Sequence, residues 1–169
     1  MDMALTSRLA LAVEPQAMRA AMACFATGVT IVTTLDINGH PIGLTVNSFN
    51  SVSLEPALVL WSLARSSDSL PVFAANTVFA VNILAADQLD LCHQFASKTA
   101  DRFAGVDWTP GLHGVPVLSG SVASFECTTA QRIAGGDHEI FLGHVHRVSV
   151  TDTPALFYGQ GKFGQLNPA

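Results

Sequence analysis

The tightest constraint on what this chain can fold into is a hairpin written into residues 29–47. Val29 to Leu35 is rich in β-branched residues, Asn38-Gly39 follows, and Gly43 to Asn47 is strand-like again. Asn-Gly readily adopts the left-handed backbone that a tight hairpin turn requires, so the two runs are predicted to pair antiparallel. The second run continues as Gly43-Leu44-Thr45-Val46-Asn47-Ser48-Phe49-Asn50-Ser51-Val52-Ser53, with small hydroxyl and amide residues threaded through the alternation. On one extended strand Thr45, Asn47 and Ser51 share a side, and Leu44 and Val46 take the other. Such a face either grips a polar ligand or merely tolerates a half-exposed sheet surface, and the residues alone leave both readings open.

The remaining pattern is mostly β. Ala57 to Leu63 and Val78 to Leu84 are almost continuously apolar, as strands buried on both faces are. Ser121 to Ile133 and Glu139 to Val150 alternate and are joined by Gly135-Gly136-Asp137, and a last strand is predicted from Ala155 to Phe163. An amphipathic helix is predicted from Pro15 to Phe25, where Ala17, Met18, Ala21, Met22 and Phe25 recur at helical spacing. Further helical pieces are predicted at Pro71 to Asn76, at Asp87 to Ala96, and around Lys98, Asp101, Arg102 and Phe103. Gly105 to Gly120 is dense in Gly and Pro and reads as irregular chain with short strands at most. Many short strands, few helices and no βαβ alternation predict an antiparallel barrel.

The 169 residues suit a single domain, read as an N-terminal extension over 1–14 and a folded unit over 15–165. Leu9 to Val13 is too short for a signal-peptide core and follows Asp2, so a cytoplasmic location is expected. No apolar run approaches the roughly 18 to 20 residues of a membrane span, so no membrane role is expected. A net charge of -5 with scarce Lys and Arg argues against a nucleic-acid surface, which needs clustered positive charge. Cys24, Cys92 and Cys127 are odd in number and scattered, which predicts buried free thiols. With 49% apolar and 12% charged residues, the chain is more apolar than a soluble monomer needs, and a partner subunit is expected to cover part of it.

Familiar chemical signatures are missing. There is no Gly-x-Gly-x-x-Gly or Walker lysine motif, so a phosphate must be held another way. Lys98 and Arg102, four residues apart, converge on such a group if they share a helix face, with Ser66, Ser67 and Ser69 as further donors; a solvated helix surface explains the pair equally. His138, His144 and His146 lack the Cys or carboxylate partners of a ligand set, so no metal is expected. Neither a Gly-x-Ser-x-Gly nucleophile nor an activating base beside Cys127 supports hydrolysis. Gly135-Gly136-Asp137-His138 is either a site-forming turn or an ordinary glycine hairpin.

Four ordered segments together are more specific than any one of them: Phe25-Ala26-Thr27-Gly28-Val29-Thr30-Ile31-Val32-Thr33-Thr34, Gly43 to Phe49, Asp101-Arg102-Phe103-Ala104-Gly105-Val106, and Gly136-Asp137-His138. They resemble the flavin reductase family of the FMN-binding split-barrel fold over about residues 15 to 165. The resemblance implies a mainly β, six-stranded antiparallel split barrel of Greek-key type with a few peripheral helices. It implies an NAD(P)H:flavin oxidoreductase that transfers a hydride from NADH or NADPH to FMN or FAD, works as a homodimer, and supplies reduced flavin to a partner flavin-dependent monooxygenase. A non-catalytic flavin-binding or electron-transfer protein on the same barrel is the alternative.

By motif position the resemblance implies that Thr45, Val46, Asn47, Ser48 and Phe49 line the flavin ring. Ser62, Leu63 and Ala64 with Ser66, Ser67 and Ser69 would hold the ring edge, ribityl chain and phosphate. Lys98, Arg102 and Phe103 match the segment expected near the flavin tail, Asp137 would be cofactor-binding and the catalytic His138 beside it would face the nicotinamide side, and Tyr158 lies in the Tyr-x-x-Gly-x-aromatic ending. Two departures, Phe163 in place of a frequent Tyr and Gly159-Gln160 in place of bulkier or basic residues, bear on nucleotide preference.

Overall fold

The structure is a computed structural model that describes residues 13–165. In chain order the elements are α1 (Pro15–Ala23), β1 (Thr27–Gly28), β2 (Thr30–Leu35), β3 (Pro41–Val46), β4 (Asn50–Leu54), β5 (Ala57–Ala64), α2 (Leu70–Ala75), β6 (Val78–Ile83), α3 (Leu89–Ala96), β7 (Trp108–Pro110), β8 (Pro116–Leu118), β9 (Ala123–Gly135), β10 (His138–Val150), β11 (Leu156–Gly159) and β12 (Lys162–Gln165). The extension expected over 1–14 lies outside the described residues except for Val13 and Glu14.

The hairpin forms where its residues demand it. The Asp36 carboxylate accepts the N–H groups of Asn38 and His40 at 2.8 Å each, and Gly39 takes the left-handed conformation at φ 81°. Strands β2 and β3 then pair from Leu35 opposite Pro41 to Thr30 opposite Val46. They open a seven-stranded antiparallel sheet in the order β3-β2-β6-β9-β10-β5-β4. Its two edge strands, β3 and β4, are consecutive in sequence and joined only by Asn47, Ser48 and Phe49. The sheet therefore curls until its edges meet without zipping together, which is the architecture of a split barrel.

Ser48 pins that seam. Its hydroxyl accepts the Ser62 N–H at 2.9 Å and donates to the Ser62 carbonyl at 3.0 Å, so one side chain stands in for a ladder pair. The polar stretch expected as one strand from Gly43 to Ser53 is thus two, and Ser51 belongs to β4, not to the face of Thr45.

Inside the barrel Trp61 stacks on Phe141 at 4.6 Å and meets Phe73 and Phe79 edge-on at 5.0 and 5.8 Å. A second core, with Ile31, Leu84, Phe95 and Phe103, lies beneath α3. Three sequence expectations change in the folded chain. Strand β5 buries only Val59, Trp61 and Leu63, and the residues that alternate with them, Leu58, Leu60, Ser62 and Ala64, are half-buried on its other face. Lys98 to Phe103 form turns beyond the end of α3, since Arg102 bonds the Ser97 and Gly43 carbonyls and pulls the chain off the helix axis. The single terminal strand becomes the β11–β12 hairpin, turned by Gln160 and Gly161 at positive φ. Helix α1 is formed but buries no residue in this one chain, leaving Met18 and Met22 exposed.

Replacing Ser48 by Ala strands the part-buried N–H and carbonyl of Ser62, and the expected cost is about 1–3 kcal/mol of unfolding free energy, read from urea denaturation.

Candidate flavin and nucleotide site

Part of the sequence-predicted set borders three cavities along β3, and Ser62, Leu63, Ala64, Asp137 and His138 line none of them. Strand β3 runs from a cavity lined by Lys98 and Arg102 at Gly43 to an aromatic-walled region at Asn47. Four residues of extended chain separate these ends by about 13 Å.

The first cavity, of about 290 Å³, gathers Gly43, Ser69, Lys98, Arg102 and Phe103, and the two cations are matched by the two carboxylates of Asp68 and Asp101. Gly43 is required there by close approach: a Cβ would stand 2.6 Å from Phe95 Cε1 and 3.3 Å from Phe103 Cε2. Two Arg102 nitrogens already serve the Ser97 and Gly43 carbonyls, at 2.9 and 3.0 Å. Among the described residues Lys98 makes no hydrogen bond or ion pair, so its ammonium is available for an anion. Asp68 and Asp101 also line this cavity, and the Asp101 carboxylate accepts the Phe103 N–H. The Phe103 ring packs edge-on against Phe95 at 4.9 Å as part of the core.

At the other end, Asn47, Ser48, Phe49 and Tyr158 border a cavity of about 570 Å³ roofed by α1. Thr45, Val46, Asn47 and Tyr158 also face a neighbouring cavity of about 360 Å³, closed by His93 and Phe163. The Thr45 hydroxyl donates to the Cys92 carbonyl at 2.7 Å, so both it and Ser48 use their protons within the fold. By contrast, the backbones of Asn47, Ser48 and Phe49 make no main-chain hydrogen bond among the described residues. The seam leaves these amides for a ligand.

Strand β10 brings the distant turn alongside: His138, Glu139 and Ile140 pair with Ala64, Leu63 and Ser62. Leu63 points into the core, so its contribution here is backbone. Ser66 and Ser67 lie in the following turn and line none of these three cavities, although Ser67 Oγ accepts the Ser69 N–H at 3.3 Å. His138 Nδ1–H donates to Asp137 Oδ1 at 2.8 Å, which leaves Nε2 for another partner. That hydrogen bond first, then the charge of His138, hold the Asp137 carboxyl below its ordinary 3.8 against an opposing effect of burial, with lesser help from a backbone hydrogen bond and the Arg19 charge.

Three residues of this surface were not singled out from the sequence. Arg19 and Thr27 border the 570 Å³ cavity and His93 the 360 Å³ one. The Thr27 hydroxyl is buried without a partner. No spacing signal marks Arg19 or His93, because each reaches the site from an element distant in sequence, and Thr27 lies within the Phe25 to Thr34 segment of the family resemblance. Cys127 stays a plain thiol: burial, reinforced by the Glu126 charge, pushes it up to about 12. Among the described residues no group of three His, Cys, Asp or Glu is placed to hold a metal, and no helix is long and apolar enough to cross a membrane.

A family profile described as the flavin reductase like domain matches residues 22–167. The chain belongs to the flavin reductase family. The FMN reductase (NADH) SmoA of Agrobacterium fabrum is 45% identical over 88% of this chain and 84% of its own length. The reductase component of the flavin-dependent trigonelline monooxygenase of Acinetobacter baylyi is 42% identical over 86% of this chain. The chain spans about half the length of that relative, 47%, and 48% of another from Rhizobium meliloti. Among solved structures, the Streptomyces globisporus NADH:FAD oxidoreductase SgcE6, in complex with NAD and FAD fragments, superposes with a TM-score of 0.86 at 36% identity, covering 92% of this chain and 96% of that one. The family's antiparallel split barrel is thus the fold of this chain.

The residues present fit a flavin of this family: an unengaged ammonium beside Ser69 at one end, and unpaired amides with an orphaned Thr27 hydroxyl at the other.

Because the Asp137 carboxyl is depressed, its contact with His138 favours the folded turn above the ordinary carboxyl value and is lost as pH falls through the lower folded one. A carbon-detected NMR titration is expected to give Asp137 a midpoint below 3.8, returning toward 3.8 in His138→Ala.

Proposed function

We propose that this chain is an NAD(P)H:flavin oxidoreductase that passes a hydride from NADH or NADPH to FMN or FAD and releases the reduced flavin to a separate flavin-dependent monooxygenase. The observation that carries this reading is the line along β3, with the unengaged Lys98 ammonium beside Ser69 at one end and unpaired seam amides beside Tyr158 and Phe49 at the other. A flavin nucleotide has that polarity: an anionic tail and a flat ring rich in hydrogen-bond acceptors.

When bound, the isoalloxazine itself supplies the hydride-accepting atom, so no protein nucleophile is required. The protein's work is placement. Lys98 and the Ser69 hydroxyl hold the phosphate, and Thr45 and Ser48 act through the fold, fixing β3 against α3 and β5 by their bonds to Cys92 and Ser62. The Asn47 to Phe49 amides and the Asn47 side chain face the ring edge, where donors aimed at developing negative charge favour reduction. His138, oriented by Asp137, offers Nε2 to the nicotinamide nucleotide from beside Ala64.

The unit that does this runs from residue 15 to 165, and it works as a homodimer. Met22, Phe25, Val52, Leu54, Val148 and Val150 stay exposed in one chain, and a second copy laid over them buries this surface and walls the ring. The free thiols of Cys24, Cys92 and Cys127 suit a cytoplasmic protein.

NADH and NADPH oxidation, measured with FMN or FAD as acceptor, is expected to depend strictly on added flavin; absence of turnover in all four pairings rules the activity out. In the same assay His138→Ala is expected to raise the KM for the nicotinamide nucleotide about tenfold while flavin affinity changes much less, and an equal loss of both would remove His138 from that role. Lys98→Ala is expected to weaken FMN about tenfold and leave riboflavin, which has no phosphate, almost unaffected, as measured by flavin fluorescence titration.

A further inference from the structure

Hydride transfer between two nucleotides needs room for two anionic tails, and among the described residues β3 has an unbonded cation near each end. Lys98 stands near Gly43, beside Ser69. At the other end Arg19 of α1 borders the 570 Å³ cavity with Asn47, Ser48 and Tyr158, and of the residues lining that cavity it alone carries a charge. Its helical neighbours at three and four residues, Pro15, Gln16, Met22 and Ala23, include no carboxylate, so no intrahelical ion pair is open to it. Among the described residues every ion pair is made elsewhere, by His40, Arg132, His138 and Arg147. Phe25 and Phe49 wall the same cavity with apolar surface, which strengthens any ion contact made there. The charge of Arg19 also helps to hold the Asp137 carboxyl down, so it stands within electrostatic reach of the His138 turn as well as of the seam. Arg65, another cation at that turn, already gives its Nε–H to the His138 carbonyl at 3.4 Å.

We propose that Arg19 binds the phosphate of the nicotinamide mononucleotide half of the hydride donor, and is thereby a specificity-determining residue for that substrate. The inference rests on the flavin-reductase reading above and deepens it. Two nucleotides meet at the ring, and their phosphates must lie apart because like charges repel. Lys98 serves the flavin tail, about 13 Å along β3 from the ring end. Arg19 is at the ring end itself, near the turn that offers His138 Nε2. Its guanidinium meets a phosphate with paired N–H donors, where an ammonium gives only a point charge. The phosphate beside the nicotinamide ribose is common to NADH and NADPH, so Arg19 supports either donor and does not choose between them.

The test is equilibrium binding to the full chain saturated with oxidised FMN, using NAD+, nicotinamide mononucleotide and nicotinamide riboside. All three are already oxidised and cannot reduce the flavin, so ligand-observed NMR reads affinity without turnover. The natural chain is expected to bind the mononucleotide about tenfold more tightly than the riboside, which lacks the phosphate. Arg19→Gln is expected to abolish that difference and to weaken NAD+ about tenfold, while riboside and FMN affinities stay within about twofold. Arg19→Lys is expected to recover part of the loss. Position 19 is exposed and Gln is a good helix former, so the fold tolerates the change. Equal affinity for mononucleotide and riboside in the natural chain overturns the proposal, as does an equal loss of both in Arg19→Gln, or a loss of FMN alongside them. So does a phosphate dependence that disappears in Arg65→Gln and survives in Arg19→Gln. A much larger effect of Arg19→Gln on NADP+ than on NAD+ would assign Arg19 to the 2′-phosphate and also overturn it. A changed oligomeric state by light scattering, with the phosphate dependence intact, would give Arg19 to a second copy of the chain, with the same consequence. Absence of flavin-dependent nucleotide oxidation in the natural chain removes the reductase reading itself, whereas normal turnover with the phosphate dependence intact in Arg19→Gln removes only this proposal.

Discussion

The structure depends on a seam that does not zip. Strands β3 and β4 are the two edges of one sheet and are only three residues apart in sequence, so the sheet has to curl back on itself to bring them together. Two edges that formed a full ladder would bury their amides in each other. Here Ser48 substitutes for that ladder at one point, bonding both polar groups of Ser62, and the neighbouring backbone at Asn47 to Phe49 stays unpaired. Unpaired edges are a hazard in most sheets; in a barrel with a roofed seam they become a row of donors.

Around that seam, the protein separates holding from chemistry. Hydroxyls that look like ligand contacts in the sequence, Thr45 and Ser48, use their protons to fix β3 and β5. Arg102 likewise ties the chain beyond α3 to the Gly43 carbonyl, leaving Lys98 as the cation without a bond among the described residues. Glycine at 43 lets Phe95 and Phe103 press against β3, so the strand that lines the site is supported from behind by core aromatics. Rigidity comes from these internal bonds, and ligand recognition from what they leave free.

Legibility in the sequence followed the range of the interactions. The Asn38-Gly39 hairpin, the long β9 and β10 strands, and the short helices at residues 70–75 and 89–96 are local and were readable from periodicity and turn chemistry. The break at Asn47 to Phe49 was not, because residues on both sides of it keep a strand-like alternation and only the barrel's closure interrupts them. Lys98 and Arg102 showed helical spacing, yet the Arg102 bond to a carbonyl 59 residues away in sequence overrode it. Arg19 and His93 carry no motif at all, and Thr27 belongs to the Phe25 to Thr34 segment without a spacing that marks a ligand contact; α1, α3 and β1 deliver them to a surface whose other members lie far along the chain.

By itself the sequence determined the class of structure and the chemistry available: an antiparallel β fold, no nucleophile, a few cations, and four ordered motifs that mark the family. These follow from residue type and near-neighbour spacing, which the chain carries whether folded or not. Only the tertiary structure decided that Ser48 is a clamp, that Leu63 and Phe103 belong to the core, that His138 stands beside Ala64, and that Lys98 and Ser69 line one cavity with Gly43. Each of those depends on contacts between residues far apart along the chain, and such contacts exist only once the sheet has curled and its edges face one another across the seam.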